Sequence, residues 1–410
     1  MAGALANHAN DKTSELVAKA NAVAQRFDVL KAAHARAQAD EALTRSRLSL
    51  ALSEALAEQG EIQRRLRAEV ARGYRLGRAS QARRRRRNRA ARLVDRLLVK
   101  LRSIGRAAVI ARSGLWPPSG VGVGASIADL KAMAAYARRG PVGSIATPTL
   151  LDHDWYLASY PDVAQGRLSP LVHYIVAGGR EGRAPSPLFD PAFYIERNGA
   201  EIGATGLTPL EHFVHMGAAL GRDPHPLFSI AYYVAQCPDL IEAIENPLAH
   251  YLRTGWRQGL SPHPLFSVSF YSGQVSRGER DTPGLVHYLK AGSRRGLKPH
   301  PLFDPNWYRT RNPDVADAGL EPLSHFVVEG WRQGRSPSAW FDPSHYAALR
   351  GEELLAETNP LLDYLEGGAW RVGEARPGFP TAAYVAATPS LIADRLTPLE
   401  HWATRGSASR

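Results

Sequence analysis

The stretch FDPNWYRTRNPDVADAGLEPLSHFVVEGWRQGR, residues 303–335, decides the fold, because close variants of it recur from about Leu151 to residue 410. The copies share the segment Pro-Leu-x-His-aromatic, and successive copies of its histidine position lie 39, 38, 37, 38, 38 and 38 residues apart. A fixed period of this length is typical of architectures that stack one small structural unit many times. The sequence therefore predicts seven tandem repeats in residues 151–410, numbered 1 to 7 below.

The segment Pro-Leu-x-His-aromatic begins a predicted helix, called helix B. Proline suits a first helical turn, and a side-chain oxygen just before it can cap the helix. In repeat 4 the segment carries one extra residue, as Pro283-Gly-Leu-Val-His287. The predicted caps are Thr208, Asn246, Asn359 and Thr397, with Glu211 and Glu400 completing capping boxes. A glycine five residues after the histidine position is expected to end helix B in the left-handed conformation. These glycines are Gly178, Gly217, Gly255, Gly292, Gly330, Gly368 and Gly406.

The repeated histidines are expected to make one structural hydrogen bond in each repeat. Equivalent residues in stacked helical layers stand about 10 Å apart, which is too far for a shared metal ion with bonds of about 2 Å. Repeat 6 replaces the histidine with Asp363. The histidines are His173, His212, His250, His287, His325 and His401. A second periodic row, His225, His263 and His300, lies between repeats and is interpreted in the same way.

A second helix, helix A, is predicted upstream of helix B. It has aspartate as N-cap and proline at the first helical position, as in Asp190-Pro, Asp304-Pro and Asp342-Pro. Pro-Asp turns follow helix A, and proline-dense connectors such as Pro262-His-Pro-Leu-Phe266 join the repeats. Two helices of about ten residues cannot bury their apolar side chains alone, so neighbouring repeats must stack. The predicted fold is all-α: a long N-terminal helix or coiled coil, then an α-solenoid of seven helix pairs.

The first 150 residues differ in composition from the repeats. They hold 28 Lys/Arg against 11 Asp/Glu, whereas residues 151–410 hold 23 against 28. In residues 1–80, an apolar stripe that steps alternately by four and three residues from Leu16 to Ala37 indicates a coiled coil, which would allow homo-oligomers. Residues 113–150 are predicted to form a linker with a short helix, Ile127–Arg139, capped by Ser126 and stopped by Gly140.

Residues 81–112 are predicted to form a basic amphipathic helix. Between Arg64 and Arg112 there are 18 Lys/Arg and two acidic residues, and so many like charges require an anionic partner. An anionic membrane surface, nucleic acid and an acidic glycan would all serve. The apolar stripe from Val94 to Ile104 favours the membrane over nucleic acid. The predicted anion-binding residues are Arg83, Arg84, Arg85, Arg86, Arg87, Arg89, Arg92, Arg96 and Lys100.

The combined motif resembles tandem repeats appended to bacterial glycosyltransferases and other proteins of cell-surface polysaccharide synthesis. It consists of Phe-Asp-Pro-x-x-Tyr, Asn-Pro-Asp-Val-Ala, Pro-Leu-x-His-Tyr, Gly-x-x-x-Gly-Arg and Pro-x-Pro-Leu-Phe. The resemblance covers about residues 151–410 and implies a bacterial setting and a link to glycan assembly. It implies no catalytic residue here, because catalysis in that family is expected in a separate domain. The chain is therefore interpreted as a scaffold whose repeats bind a glycan or a protein partner.

Two alternatives stay open. One is a glycosyltransferase, or a subunit of one, with an unrecognised active site, and the other is a nucleic-acid-binding protein that uses the arginine cluster. Asp152-His-Asp154 has the spacing that many nucleotide-sugar transferases use for a divalent metal, but Asp152 stands where a helix A cap is expected, four residues before Tyr156.

We expect no catalytic residue, metal or cofactor. Cys237 is the single cysteine, so it cannot form an intramolecular disulfide. The first residues lack the features of a secretory signal, and no stretch is apolar enough to span a bilayer. These features predict a cytoplasmic protein and leave peripheral association with the inner membrane open.

Overall fold

The computed structural model describes residues 102–116, 127–141, 150–242, 245–351, 357–371, 374, 376–391 and 396–408. Within these ranges the chain is helical and forms no β-strand, so the all-α class is confirmed for them. The chain divides into two compact regions, Met1–Arg112 with Trp116–Arg138, and Ser113–Leu115 with Arg139–Arg410. The predicted coiled coil, the predicted anion-binding residues Arg83 to Lys100 and the predicted cap Ser126 lie outside the described residues.

The described part of the first region contains helical residues 102–112 and a helix at Ile127–Ala137. The Arg106 guanidinium donates a hydrogen bond to the Ala137 carbonyl at 3.3 Å. The rings of Trp116 and Tyr136 lie 5.5 Å apart. Ile104, the last residue of the predicted apolar stripe, is 43 % exposed, so the end of that stripe is accessible.

Helix A begins in most repeats at a side-chain cap. Asp190, Asp304 and Asp342 accept hydrogen bonds from backbone amides of the first turn and are followed by proline, as predicted. Ser229 and Ser267 cap helix A in repeats 3 and 4. The bounds of helix A are His153–Ser159, Pro191–Thr205, Ile230–Ala235, Val268–Ser272, Pro305–Arg311, Pro343–Arg350 and Thr381–Ala387.

Among the described residues, a short helix follows helix A in three repeats, and a 3₁₀ helix takes its place in repeat 4. The short helices are Pro161–Ala164, Asp239–Glu242 and Pro313–Asp317, and the 3₁₀ helix is Arg277–Asp281. The short helices bury one aliphatic side chain each, Val163, Leu240 and Val315. The 3₁₀ helix of repeat 4 buries none of its residues.

Helix B begins as an α-helix and continues as a π-helix in repeats 1 to 5. The α-helical segments are Pro170–His173, Pro209–His212, Pro247–His250, Gly284–His287 and Pro322–His325, and the π-helical segments are Tyr174–Gly178, Phe213–Gly217, Tyr251–Gly255, Tyr288–Gly292 and Phe326–Gly330. Helix B is Pro360–Leu365 in repeat 6, before a 3₁₀ turn at Gly368–Trp370, and Pro398–Ala408 in repeat 7. The predicted caps Thr208, Asn246, Asn359 and Thr397 are all present.

Glycine is required at these positions of helix B for a different reason from the one predicted. They are not in the left-handed conformation, which occurs four residues later at Gly182, Gly221, Gly259, Gly296 and Gly334. A Cβ atom at Gly217 would lie 1.9 Å from the Tyr194 hydroxyl, and Gly178, Gly255, Gly292, Gly330 and Gly368 meet the tyrosine of their own helix A in the same way. In repeat 7 helix B runs through Gly406 to Ala408. Glycine is therefore required because a tyrosine hydroxyl approaches the helix backbone, and the prediction of a left-handed helix end was wrong.

The core is a line of aromatic side chains, three from each of repeats 2 to 6. In repeat 3 the Phe228 ring lies 5.3 Å from Tyr233, and Tyr233 lies 5.8 Å from Tyr251. All three side chains are fully buried. Edge-to-face and tilted pairs at these distances stabilise a core beyond the area that they bury. The amide of Ser229 then donates to the Pro262 carbonyl of the next connector, at 2.9 Å, which links successive repeats.

Repeats three apart along the chain also touch. The Lys290 ammonium of repeat 4 lies 2.5 Å from the Asp152 carboxylate of repeat 1. His300, in the connector after repeat 4, lies 3.0 Å from Glu400 of repeat 7. The connector histidines are buried, since His225, His263 and His300 are all less than 10 % exposed.

Candidate functional site

The tyrosine of helix A bonds to the histidine of helix B in every repeat that has the histidine. The Tyr hydroxyl and His Nδ1 are 3.0, 2.9, 2.8, 2.7, 2.9 and 2.8 Å apart in the pairs Tyr156–His173, Tyr194–His212, Tyr233–His250, Tyr271–His287, Tyr308–His325 and Tyr384–His401. The repeated structural hydrogen bond expected from the sequence is thus present. Burial raises the pKa of Tyr194 and lowers the pKa of His212, so both groups are neutral near pH 7.

Repeat 6 shows what replacing the histidine requires. The Asp363 carboxylate accepts a hydrogen bond from the Tyr346 hydroxyl at 2.5 Å. It also accepts two from the Arg350 guanidinium, at 2.8 and 3.0 Å. These bonds, with Arg350 as the main cause, hold the pKa of Asp363 below its usual value. The Asp363 side chain is partly buried, and its charge is paired with Arg350 where the other repeats have a histidine.

The connector histidines bond to the backbone. The amides of Leu227, Leu265 and Leu302 donate to the Nδ1 atoms of His225, His263 and His300, at 3.0, 3.1 and 3.2 Å. Accepting at Nδ1 places the proton of a neutral ring on Nε2. Burial lowers the pKa of both His225 and His263. These residues hold the connectors in place.

The side chains of Asp152 and His153, in the segment whose spacing resembles a divalent-metal motif, bond within the protein. One oxygen of Asp152 accepts a hydrogen bond from the Trp155 amide at 3.0 Å, and the other pairs with Lys290. His153 is buried, and its Nδ1 lies 3.2 Å from the Leu151 carbonyl. Among the described residues no group of three or more His, Cys, Asp or Glu side chains is arranged to hold a metal ion.

The remaining charged consensus residues form ion pairs within their own repeat. Arg183, which follows the left-handed glycine of repeat 1, lies 2.8 Å from Asp162 of the Pro-Asp turn. Arg335 and Asp314 form the same pair at 2.7 Å in repeat 5. The motifs Asn-Pro-Asp-Val-Ala and Gly-x-x-x-Gly-Arg thus recur together because they bond to each other. These consensus residues are thus bonded within their own repeat.

The clearest departure from the consensus produces a cleft of about 470 Å³ between repeats 3 and 4. Repeat 4 lacks the Pro-Asp helix with its buried aliphatic side chain, and Gly284 replaces the first proline of helix B. The polar 3₁₀ helix Arg277–Asp281 lines the cleft through Glu279, Arg280 and Asp281. The lining residues are Trp256, Arg257, Gly259, Val268, Ser269, Tyr271, Ser272, Val275, Glu279, Arg280, Asp281, Thr282, Gly284 and His287.

The floor and the rim of this cleft differ in chemistry. The indole N–H of Trp256 is bonded to the Leu252 carbonyl and the Tyr271 hydroxyl to His287, so both rings present carbon to the cleft. Glu279 is bonded to Ser276 and Arg295, which hold its pKa at about 2. The Arg257 guanidinium lies 4.2 Å from the centre of the Trp256 ring. The sequence analysis did not identify this cleft, although the extra residue at Pro283-Gly284 was its visible sign.

No family model matches the chain, and neither the curated proteins nor the solved structures contain one that is similar to it. The described part of the chain has no helix that is both long enough and apolar enough to cross a membrane.

Proposed function

We propose that this protein is a non-catalytic scaffold of bacterial cell-surface glycan synthesis, whose repeats bind a glycan or a partner protein. The observation that carries the proposal is that the repeated side chains bond to one another, as tyrosine with histidine in six repeats and as aspartate with arginine in repeats 1 and 5. Burial raises the pKa of Tyr194 and lowers the pKa of His212, which suits a structural hydrogen bond between two neutral groups. Resemblance to repeats of polysaccharide synthesis proteins supports the glycan link.

The repeats, on this proposal, form a tight α-solenoid with about three repeats in each turn. Contacts between repeats 1 and 4 and between repeats 4 and 7 support this arrangement. Buried connectors would fill its axis, so ligands would bind on the outer surface and in clefts between repeats. The N-terminal residues would oligomerise through a coiled coil and attach the protein to the cytoplasmic face of the inner membrane through Arg83 to Lys100.

Two measurements on the full-length protein test the proposal. We expect the purified protein to bind saccharides on a glycan array or to capture a protein of glycan assembly from its native cell. We also expect it to release no nucleotide from a panel of nucleotide sugars with added Mg²⁺ or Mn²⁺. Nucleotide release that disappears in Asp154→Ala would instead establish the glycosyltransferase alternative.

A further inference from the structure

We infer that the cleft between repeats 3 and 4 binds an uncharged saccharide, with one sugar ring seated on the face of Trp256 opposite the Arg257 guanidinium. This inference rests on the proposed binding role of the repeats and names the site and the ligand class. A volume of about 470 Å³ is that of a small-molecule site, and such sites combine an apolar lining with a few polar groups. The cleft has both.

The floor of the cleft suits the carbon face of a sugar ring. Trp256, Val268, Tyr271 and Val275 line it, and the polar atoms of the two aromatic residues are already bonded elsewhere. A pyranose ring has one face made of C–H groups, which pack on an aromatic face because the face is apolar and carries partial negative charge. Hydroxyl groups at the edge of the ring would then point to the rim.

The rim of the cleft selects against charged ligands. Arg257 and Arg280 contribute two positive charges, and Glu279 and Asp281 contribute two negative charges. An anionic ligand would meet the carboxylates, and a cationic ligand would meet the guanidinium groups. Hydroxyl groups, in contrast, donate to carboxylates and accept from guanidinium groups. Ser269, Ser272 and Thr282 add further hydroxyl partners.

The chain offers a matched control for Trp256. Repeat 5 has the same Gly-Trp-Arg-Gln-Gly sequence, in which Arg332 lies over the Trp331 ring at 4.5 Å and the Trp331 indole N–H bonds to the Val327 carbonyl. Trp331 does not line this cleft. Trp256→Ala and Trp331→Ala therefore remove the same local interactions, and only the first changes the proposed site.

Binding of disaccharides to the full-length protein tests the inference. The probes are cellobiose, maltose, N,N′-diacetylchitobiose and a glucuronic-acid-containing disaccharide, measured by calorimetry and saturation-transfer NMR. We expect a neutral disaccharide to bind, Trp256→Ala to weaken it by about tenfold or more, and Trp331→Ala to change it by less than about twofold. Thermal melts of both variants check that each one is folded.

Three results would contradict the inference. Each of them can be told apart from a result that would contradict the proposed scaffold function. Equal binding by both tryptophan variants would place the saccharide elsewhere on the protein. Preference for the acidic disaccharide would show that the rim does not select uncharged ligands. Capture of a protein partner without binding of any saccharide would support the scaffold role and contradict the sugar site.

Discussion

The Tyr251 hydroxyl of repeat 3 accepts a hydrogen bond from the Leu285 amide of repeat 4, at 3.3 Å. This amide lies in the first turn of helix B, where the helix itself supplies no acceptor. The Tyr364 hydroxyl of repeat 6 likewise accepts a hydrogen bond from the Leu399 amide of repeat 7, at 3.0 Å. A hydroxyl from one repeat thus completes the helix start of the next.

Repeats that follow a phenylalanine use another acceptor. Phe213 and Phe326 occupy the tyrosine position in repeats 2 and 5. In the repeats after them, the side chains of Asn246 and Asn359 accept the equivalent amide bond, at 3.1 and 3.0 Å. In repeats 3 and 6 an asparagine cap thus accepts the bond that a tyrosine hydroxyl accepts in repeats 4 and 7.

Tyr364→Phe should destabilise the protein by about 1–3 kcal/mol, because it leaves the buried Leu399 amide without an acceptor. Adding Thr397→Asn should restore most of the loss, since asparagine provides the acceptor as Asn359 does. Urea unfolding of the parent, the single variant and the double variant measures both effects. An unchanged midpoint in the single variant would show that the hydroxyl contributes nothing.

Gly217→Ala should lower the free energy of unfolding by several kcal/mol, because its Cβ would lie 1.9 Å from the Tyr194 hydroxyl. Gly203→Ala is the control, since no atom lies within 4 Å of its Cβ position and alanine favours helix by about 0.5–1 kcal/mol. In thermal melts, the melting temperature should fall in Gly217→Ala and rise in Gly203→Ala. Combining Gly217→Ala with Tyr194→Phe should recover part of the loss by removing the hydroxyl.

Stability should fall as the pH drops from about 6.5 toward 4, because burial lowers the pKa of His263 to about 3. Between the folded and unfolded pKa values the unfolded state binds a proton that the folded state excludes, so the free energy of unfolding decreases by about 1.4 kcal/mol per pH unit for each such histidine. His225 adds to this slope in the same direction.

Serine at these connector positions should remove the slope. In the connector after repeat 5, Ser338 occupies the position of these histidines. Its hydroxyl accepts a hydrogen bond from the Trp340 amide at 3.2 Å, just as the histidines accept one from a leucine amide. The variant His225→Ser with His263→Ser should therefore keep the bond without titrating. Urea unfolding at pH 7 and pH 5 measures the free energy of unfolding of the double variant and of the parent. If both proteins lose the same amount of stability between the two pH values, the histidines are not the cause of the pH dependence.

Gly284→Pro should make the protein more stable and weaken binding in the cleft. Proline is the residue at this position in the other repeats, and Pro283 before it already has φ −52° and ψ 128°, which proline requires of its predecessor. Restricting the unfolded chain contributes about 0.4–1 kcal/mol. We expect a higher melting temperature together with weaker disaccharide binding. Unchanged disaccharide binding would show that the cleft does not bind the ligand.

Replacing Leu97, Leu98 and Leu101 with serine should abolish binding to anionic liposomes and leave DNA binding nearly unchanged. Each leucine, if buried in a membrane, contributes about 1.5–3 kcal/mol, whereas every positive charge is retained. Flotation and DNA mobility-shift assays on the full-length protein measure the two affinities. A triple variant that floats as well as the parent would reassign the arginine cluster to nucleic acid or to an acidic partner.

Local features of the repeats were predictable from the sequence. The caps Asp190 and Thr208 act within three residues along the chain, so spacing alone indicated them. The requirement for Gly217 was not predictable, because it depends on a tyrosine hydroxyl that arrives from another helix. The cleft was missed for a related reason, since it comes from side chains that repeat 4 lacks.

The contact between Lys290 and Asp152 limits how the gene can change in length. If repeats pair with their third neighbours, deleting one internal repeat gives new partners to the repeats whose pairs span the deletion, so the matched surfaces of those pairs are separated. Losing or gaining three consecutive repeats preserves the pairing phase. Viable length variants should therefore differ in steps of three internal repeats, or by single repeats at an end, and recombination between copies would otherwise be selected against.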